Sequence, residues 1–119
     1  MKISYRTDYG ILEVQPTGGL SEEDFENLAS ELDRIQDEGR EFKGILIVTE
    51  EFPGYRKFAD MLAHGEFIKE HRDRIPKIAI CTDSPVAHLA DLIGSTLTGA
   101  EVETYDHGER DDAEKWLLA

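Results

Sequence analysis

The chain has 119 residues, 39% of them hydrophobic and 33% charged, and its 26 acids against 13 bases give a formal charge of −13. That size fits one domain, and the charge excludes a nucleic-acid surface and disfavours an anionic membrane. No apolar run reaches the roughly 18 residues of a membrane span, "MKISYRTDYG" lacks a signal peptide's apolar stretch, and Cys81, the single cysteine, excludes an internal disulfide.

In chain order, "KISYR" at residues 2–6 alternates apolar and polar, with Ile3 and Tyr5 on one side. After "TDYG" the run "ILEVQ" alternates again, with Leu12 and Val14 facing in. Alternation on both sides of an Asp/Gly turn predicts an antiparallel hairpin towards one edge of a sheet.

"GLSEEDFENLASELDRIQDEGR" carries the signals of a capped helix. Ser21 and Asp24, three apart, form an approximate capping box, and Leu20 with Phe25 a hydrophobic staple. Phe25, Leu28, Ala29, Leu32 and Ile35 recur at helical spacing, and Gly39 supplies a C-terminal stop.

"KGILIVT" and "KIAIC" (77–81) are continuous apolar runs, the pattern of central strands covered on both faces. A helical pattern from Tyr55 to Asp73, ended by Pro76, lies between them, so the pair should be parallel. Ser84 and Pro85 open another helix, with Val86, Leu89, Ala90, Ile93 and Leu97 on its apolar stripe. "AEVETYD" is a short alternating strand nearer an edge. "ERDDAEKWLLA" closes the order as a helix with Ala113, Trp116 and Leu117 on one side. The expected architecture is ββαβαβαβα, an α/β fold with a five-stranded mixed sheet and about four helices.

That order, with "GLSEEDFE", "EFPGY", "KIAIC" and "AEKWLLA", resembles the SpoIIAA-like family of small bacterial proteins, relatives of the STAS domains (sulfate transporter and anti-sigma factor antagonist). The resemblance implies an α/β binding module for proteins or small ligands, without an assigned reaction. In anti-sigma factor antagonists a phosphorylatable serine starts the helix after the central strand. The corresponding "TEEFPGYRKF" has no serine, and Thr49 reads as still on the strand. The phospho-switch therefore does not carry over.

Ligands on open α/β sheets bind beyond the carboxyl ends of the parallel strands, which here lead into "TEEFPGYRK" and "CTDSPVAH". Helix N-termini there favour an anion. Glu50, Glu51 and Asp83 oppose one and read instead as acids stabilising helix starts, worth ~0.3–1 kcal/mol each. Phe52 and Tyr55, either side of Gly54, wall an apolar pocket or cover the end of the core. Asp83 and Ser84 read as caps for the Pro85 helix. These seven residues are the ligand- or partner-facing set.

Asp60, His64, Phe67 and His71 share a narrow helical stripe opposite Phe58, Met61, Leu62 and Ile68. Seven helical residues hold the two histidines roughly 10 Å apart, too far for one ion. The stripe reads as a solvated face, with Phe67 a candidate homodimer contact. Cys81 reads as a buried, inert thiol, although His88 is close enough in sequence to activate it across the loop. His107 reads as a solvated turn residue.

No nucleotide-binding, hydrolase or metal motif is present, and no metal or cofactor is expected. Two function classes follow. One is a non-catalytic cytoplasmic binding domain engaging a protein partner or a small apolar, lipid-like ligand. The other is a small enzyme using Glu50, Glu51 or Asp83 as general acid or base.

Overall fold

The computed structural model describes residues 2–6, 8–16, 21–51, 75–83 and 101–119. Five strands form one sheet in chain order: β1 (Lys2–Arg6), β2 (Ile11–Gln15), β3 (Gly44–Val48), β4 (Lys77–Cys81) and β5 (Glu101–Tyr105). β1 and β2 are antiparallel, and β2, β3, β4 and β5 run parallel to one another. Among the described residues there are two α-helices, α1 (Glu22–Asp37) and α2 (Arg110–Leu118). The helices expected over 55–73 and from Ser84 lie outside the described residues.

The hairpin turns where Gly10 adopts φ +71°, with its N–H and that of Tyr9 both donating to Arg6 O. The turn is tied to the approach to β3, because Lys43 N–H donates to Gly10 O at 2.7 Å and the Tyr5 hydroxyl to Glu41 O.

α1 starts and stops where its end residues place it. Ser21 Oγ accepts from Asp24 N–H at 3.3 Å, and Asp24 Oδ2 accepts from Ser21 N–H at 3.0 Å. That Ser21 N–H, above all, holds the Asp24 carboxyl below its ordinary range. At the other end Gly39 takes φ +66°. Arg40 N–H reaches back to Ile35 O and Gly39 N–H to Gln36 O, the paired bonds of a Schellman stop. Leu20 of the expected staple lies outside the described residues.

Register divides the apolar residues into two layers. Leu12, Val14, Ile45, Ile47, Ile78 and Ile80 face α1, where Phe25, Leu28, Leu32 and Ile35 are buried on them. Each large α1 side chain so buried contributes about 1.5–3 kcal/mol. On the opposite side Ile11, Leu46, Val48, Ala79 and Cys81 pack under Ala113 and Leu117 of α2. The alternation of β2 predicts one buried face, but Ile11 on the other face is 0% exposed and clusters with Ala113 and Leu117 of α2, while Glu13 and Gln15 on that face are half-buried.

At Gly44 the backbone of β3 is closely approached both by the neighbouring strand and by α2. A Cβ built there would stand 2.4 Å from Lys77 O and 2.9 Å from Leu117 Cδ2, and its φ of +157° adds strain. The obstructing oxygen belongs to a neighbouring strand and cannot rotate away. Gly44→Ala should lower the unfolding free energy by about 3 kcal/mol, read as a lower urea midpoint. An unchanged midpoint would show that β3 and β4 can separate at this position.

Candidate functional site

The carboxyl ends of β3, β4 and β5 meet at one edge of the sheet, and their backbones are tied beyond the strands. Thr49 N–H donates to Cys81 O, Thr82 N–H to Tyr105 O and Asp83 N–H to Glu50 O, each at 3.0 Å. The Thr82 side chain, 4% exposed, adds a second bond to Glu50 O at 3.2 Å. β3 ends at Val48, so Thr49 is the first residue past the strand rather than on it. Its hydroxyl donates to Glu51 O.

Glu50, Glu51 and Asp83 all reach this edge and all are exposed. The segment that Asp83 is expected to cap lies outside the described residues; within them, Asp83 Oδ1 accepts from His107 N–H at 3.1 Å. It thereby caps the turn His107–Glu109 that leads into α2. His107 is half-buried in that turn, not the solvated residue its surroundings in sequence imply. Asp106 N–H donates to Glu109 Oε1 at 2.9 Å, closing the turn on itself.

Cys81 lies at this edge with 0% exposure. Burial pushes its thiol up from 9.0 to about 11, against the pull of the Arg110 guanidinium. Tyr105, its neighbour across β4 and β5, is raised as well, first by burial and then by Glu103. A thiol in this state is a packing group and a poor nucleophile. Among the described residues no group of three or more His, Cys, Asp or Glu side chains is placed to hold a metal ion.

Phe52, Gly54, Tyr55 and Ser84, the stripe Asp60, His64, Phe67 and His71, and His88 lie outside the described residues. An apolar hollow of about 240 Å³ lies elsewhere, at the end of α1, lined by Leu32, Ile35, Gln36, Arg40 and Phe42. Since α1 ends where the chain turns into β3, that hollow is at the amino ends of the strands.

Sequence reasoning misses what fixes α2 over the edge. Arg110 pairs with Glu13 of β2 and with Glu114 one turn on, and Glu114 also pairs with Arg6 of β1. Lys77 at the start of β4 donates to the oxygens of Trp116 and Ala119 at 2.9 and 3.0 Å, satisfying the helix C-terminus. The four-residue spacing of Arg110 and Glu114 is visible in the sequence, but their strand partners are not.

Among the described residues, a mixed sheet with strands in chain order, a capped helix on one face and a short closing helix on the other define an α/β protein. A family model described as SpoIIAA-like matches residues 11–118, and the chain belongs to that family. No curated protein and no solved structure matches it. No helix among the described residues is long and apolar enough to cross a membrane.

The buried thiol makes stability depend on alkaline pH. Its folded pKa lies above the unfolded one, so the contribution of the neutral form is complete below pH 9 and is lost as pH rises through about 11. Urea midpoints taken from pH 8 to 11 should fall for the wild type. The fall should be smaller for Cys81→Ala, where Tyr105 still has a raised pKa. Equal falls would mean that Cys81 ionises as freely in the folded protein as in the unfolded chain.

Proposed function

We propose that residues 1–119 form one non-catalytic, STAS-like binding domain that works in the cytoplasm and engages a protein partner at the carboxyl edge of β3 and β4. The observation that carries this reading is the state of that edge. Its backbone groups are satisfied by one another, while Glu50 and Glu51 extend as exposed charges. A general acid or base works best when burial or a close partner tunes its pKa towards neutrality. Three exposed carboxylates, one of them engaged by the His107 N–H, are poorly suited to that task.

Acids at the edge favour a partner that presents basic groups, and Phe52 and Tyr55 would supply the apolar anchors of the contact. Gly54 and Ser84 complete the loops in this reading. A small apolar ligand is the second reading, supported by the hollow lined by Leu32, Ile35 and Phe42. That hollow sits at the other end of the strands, away from Glu50, Glu51 and Asp83.

The test starts from a binding protein captured with the full chain and identified by mass spectrometry. Titration calorimetry then compares wild type with Phe52→Ala/Tyr55→Ala and with Glu50→Gln/Glu51→Gln. The aromatic pair should weaken binding at least tenfold without shifting the urea midpoint. The acidic pair should reduce the dependence of affinity on salt. A partner whose affinity is the same for all three proteins binds somewhere else.

Self-association through Asp60, His64, Phe67 and His71 is compatible with this role. Sedimentation of wild type beside Phe67→Asp should show a dimer only for the wild type. A monomeric wild type removes the idea.

A further inference from the structure

α2 has nine residues, short of the roughly 12–15 at which an isolated helix becomes even marginally stable in water, so it depends on docking. Its docking differs in kind from that of α1. α1 buries Phe25, Leu28, Leu32 and Ile35, whereas the fully buried residues of α2 are Ala113 and Leu117, with Trp116 half-buried beside them. Charged contacts hold the rest.

At its approach the Asp83 carboxylate holds His107 N–H. Along its length Arg110 and Glu114 pair with Glu13 and Arg6 of the sheet. At its end the Lys77 ammonium takes two helix oxygens and lies 5.2 Å from the centre of the Trp116 ring. Beneath it are Ile11, Leu46, Val48, Ala79 and Cys81. We propose that α2 is a releasable strap, held by ionic latches at its start, middle and end, which opens as a unit before global unfolding and uncovers the apolar second face of the sheet.

Two electrostatic effects of opposite sign make the strap testable. Screening reaches about 10 Å at 0.1 M salt and about 3 Å at 1 M, so added salt weakens the partly exposed latches. The same screening relieves the self-repulsion of a chain of charge −13 and so favours the compact state as a whole. Salt should therefore loosen α2 while leaving global stability unchanged or raised.

Cys81 is the single cysteine, lies under α2 and has 0% exposure, so its modification reports opening at one place. The experiment measures the rate of N-ethylmaleimide labelling of the full chain at fixed pH, from about 0.05 to 1 M NaCl, beside urea unfolding in the same buffers. Labelling should accelerate several-fold with salt while the urea midpoint holds or rises. Lys77→Met and Arg110→Gln should each label about tenfold faster at low salt, with a shallower salt dependence. Labelling that slows with salt in step with rising global stability would overturn the proposal. So would variant rates that change only as far as their urea midpoints require. Should either variant fail to fold, the sign of the wild-type salt dependence decides alone.

Discussion

A strand that is apolar on both faces must be covered twice. β3 and β4 impose that condition here, with Ile11 of β2 beside them, and most of the remaining structure follows from it. α1 supplies one cover and α2 the other, and the register places Ile45 beside Ile78 under α1 and Leu46 beside Ala79 under α2. The two covers are held differently because they have different amounts to bury. A helix of 16 residues carries four large side chains into its layer, and their burial is a large part of what holds it. A helix of nine residues cannot do so, and lysine, arginine and carboxylates on the surrounding strands make up the difference.

This division also organises the candidate site. The loops leaving β3 and β4 share hydrogen bonds through Glu50 O, and Asp83 passes the connection to the turn before α2. The edge that would meet a partner and the helix that closes the second face therefore share one carboxylate. Glu50 and Glu51 enter these loops through their carbonyl oxygens, and both residues are exposed.

The sequence is most legible where the signal is local. Ser21, Asp24 and Gly39 mark the ends of α1 by their own chemistry, and "KGILIVT" and "KIAIC" announce central strands by uninterrupted apolarity. The alternation of "ILEVQ" gives one face of β2 correctly but hides the other, because Ile11 is buried only when α2 arrives from the far end of the chain. The same distance conceals the latches: Arg6 and Glu114 are 108 positions apart, and no periodicity connects them. For the site, strand order is enough to bring Glu50, Glu51 and Asp83 to one edge. The bond from His107 N–H to Asp83 depends on β5 lying beside β4, a relation in space that a capping pattern does not encode.

Strand order equal to chain order has a consequence for synthesis. As the polypeptide leaves the ribosome, each new strand finds its neighbour already made, and the sheet can grow outwards from the hairpin without waiting for a distant segment. The layer with α1 can begin to close as soon as β3 appears. Among the described residues, the cover of Ile11, Leu46, Val48, Ala79 and Cys81 is α2, which follows all five strands. The described part of that second layer would thus wait for its closing helix to emerge, and during that interval the high negative charge works against aggregation.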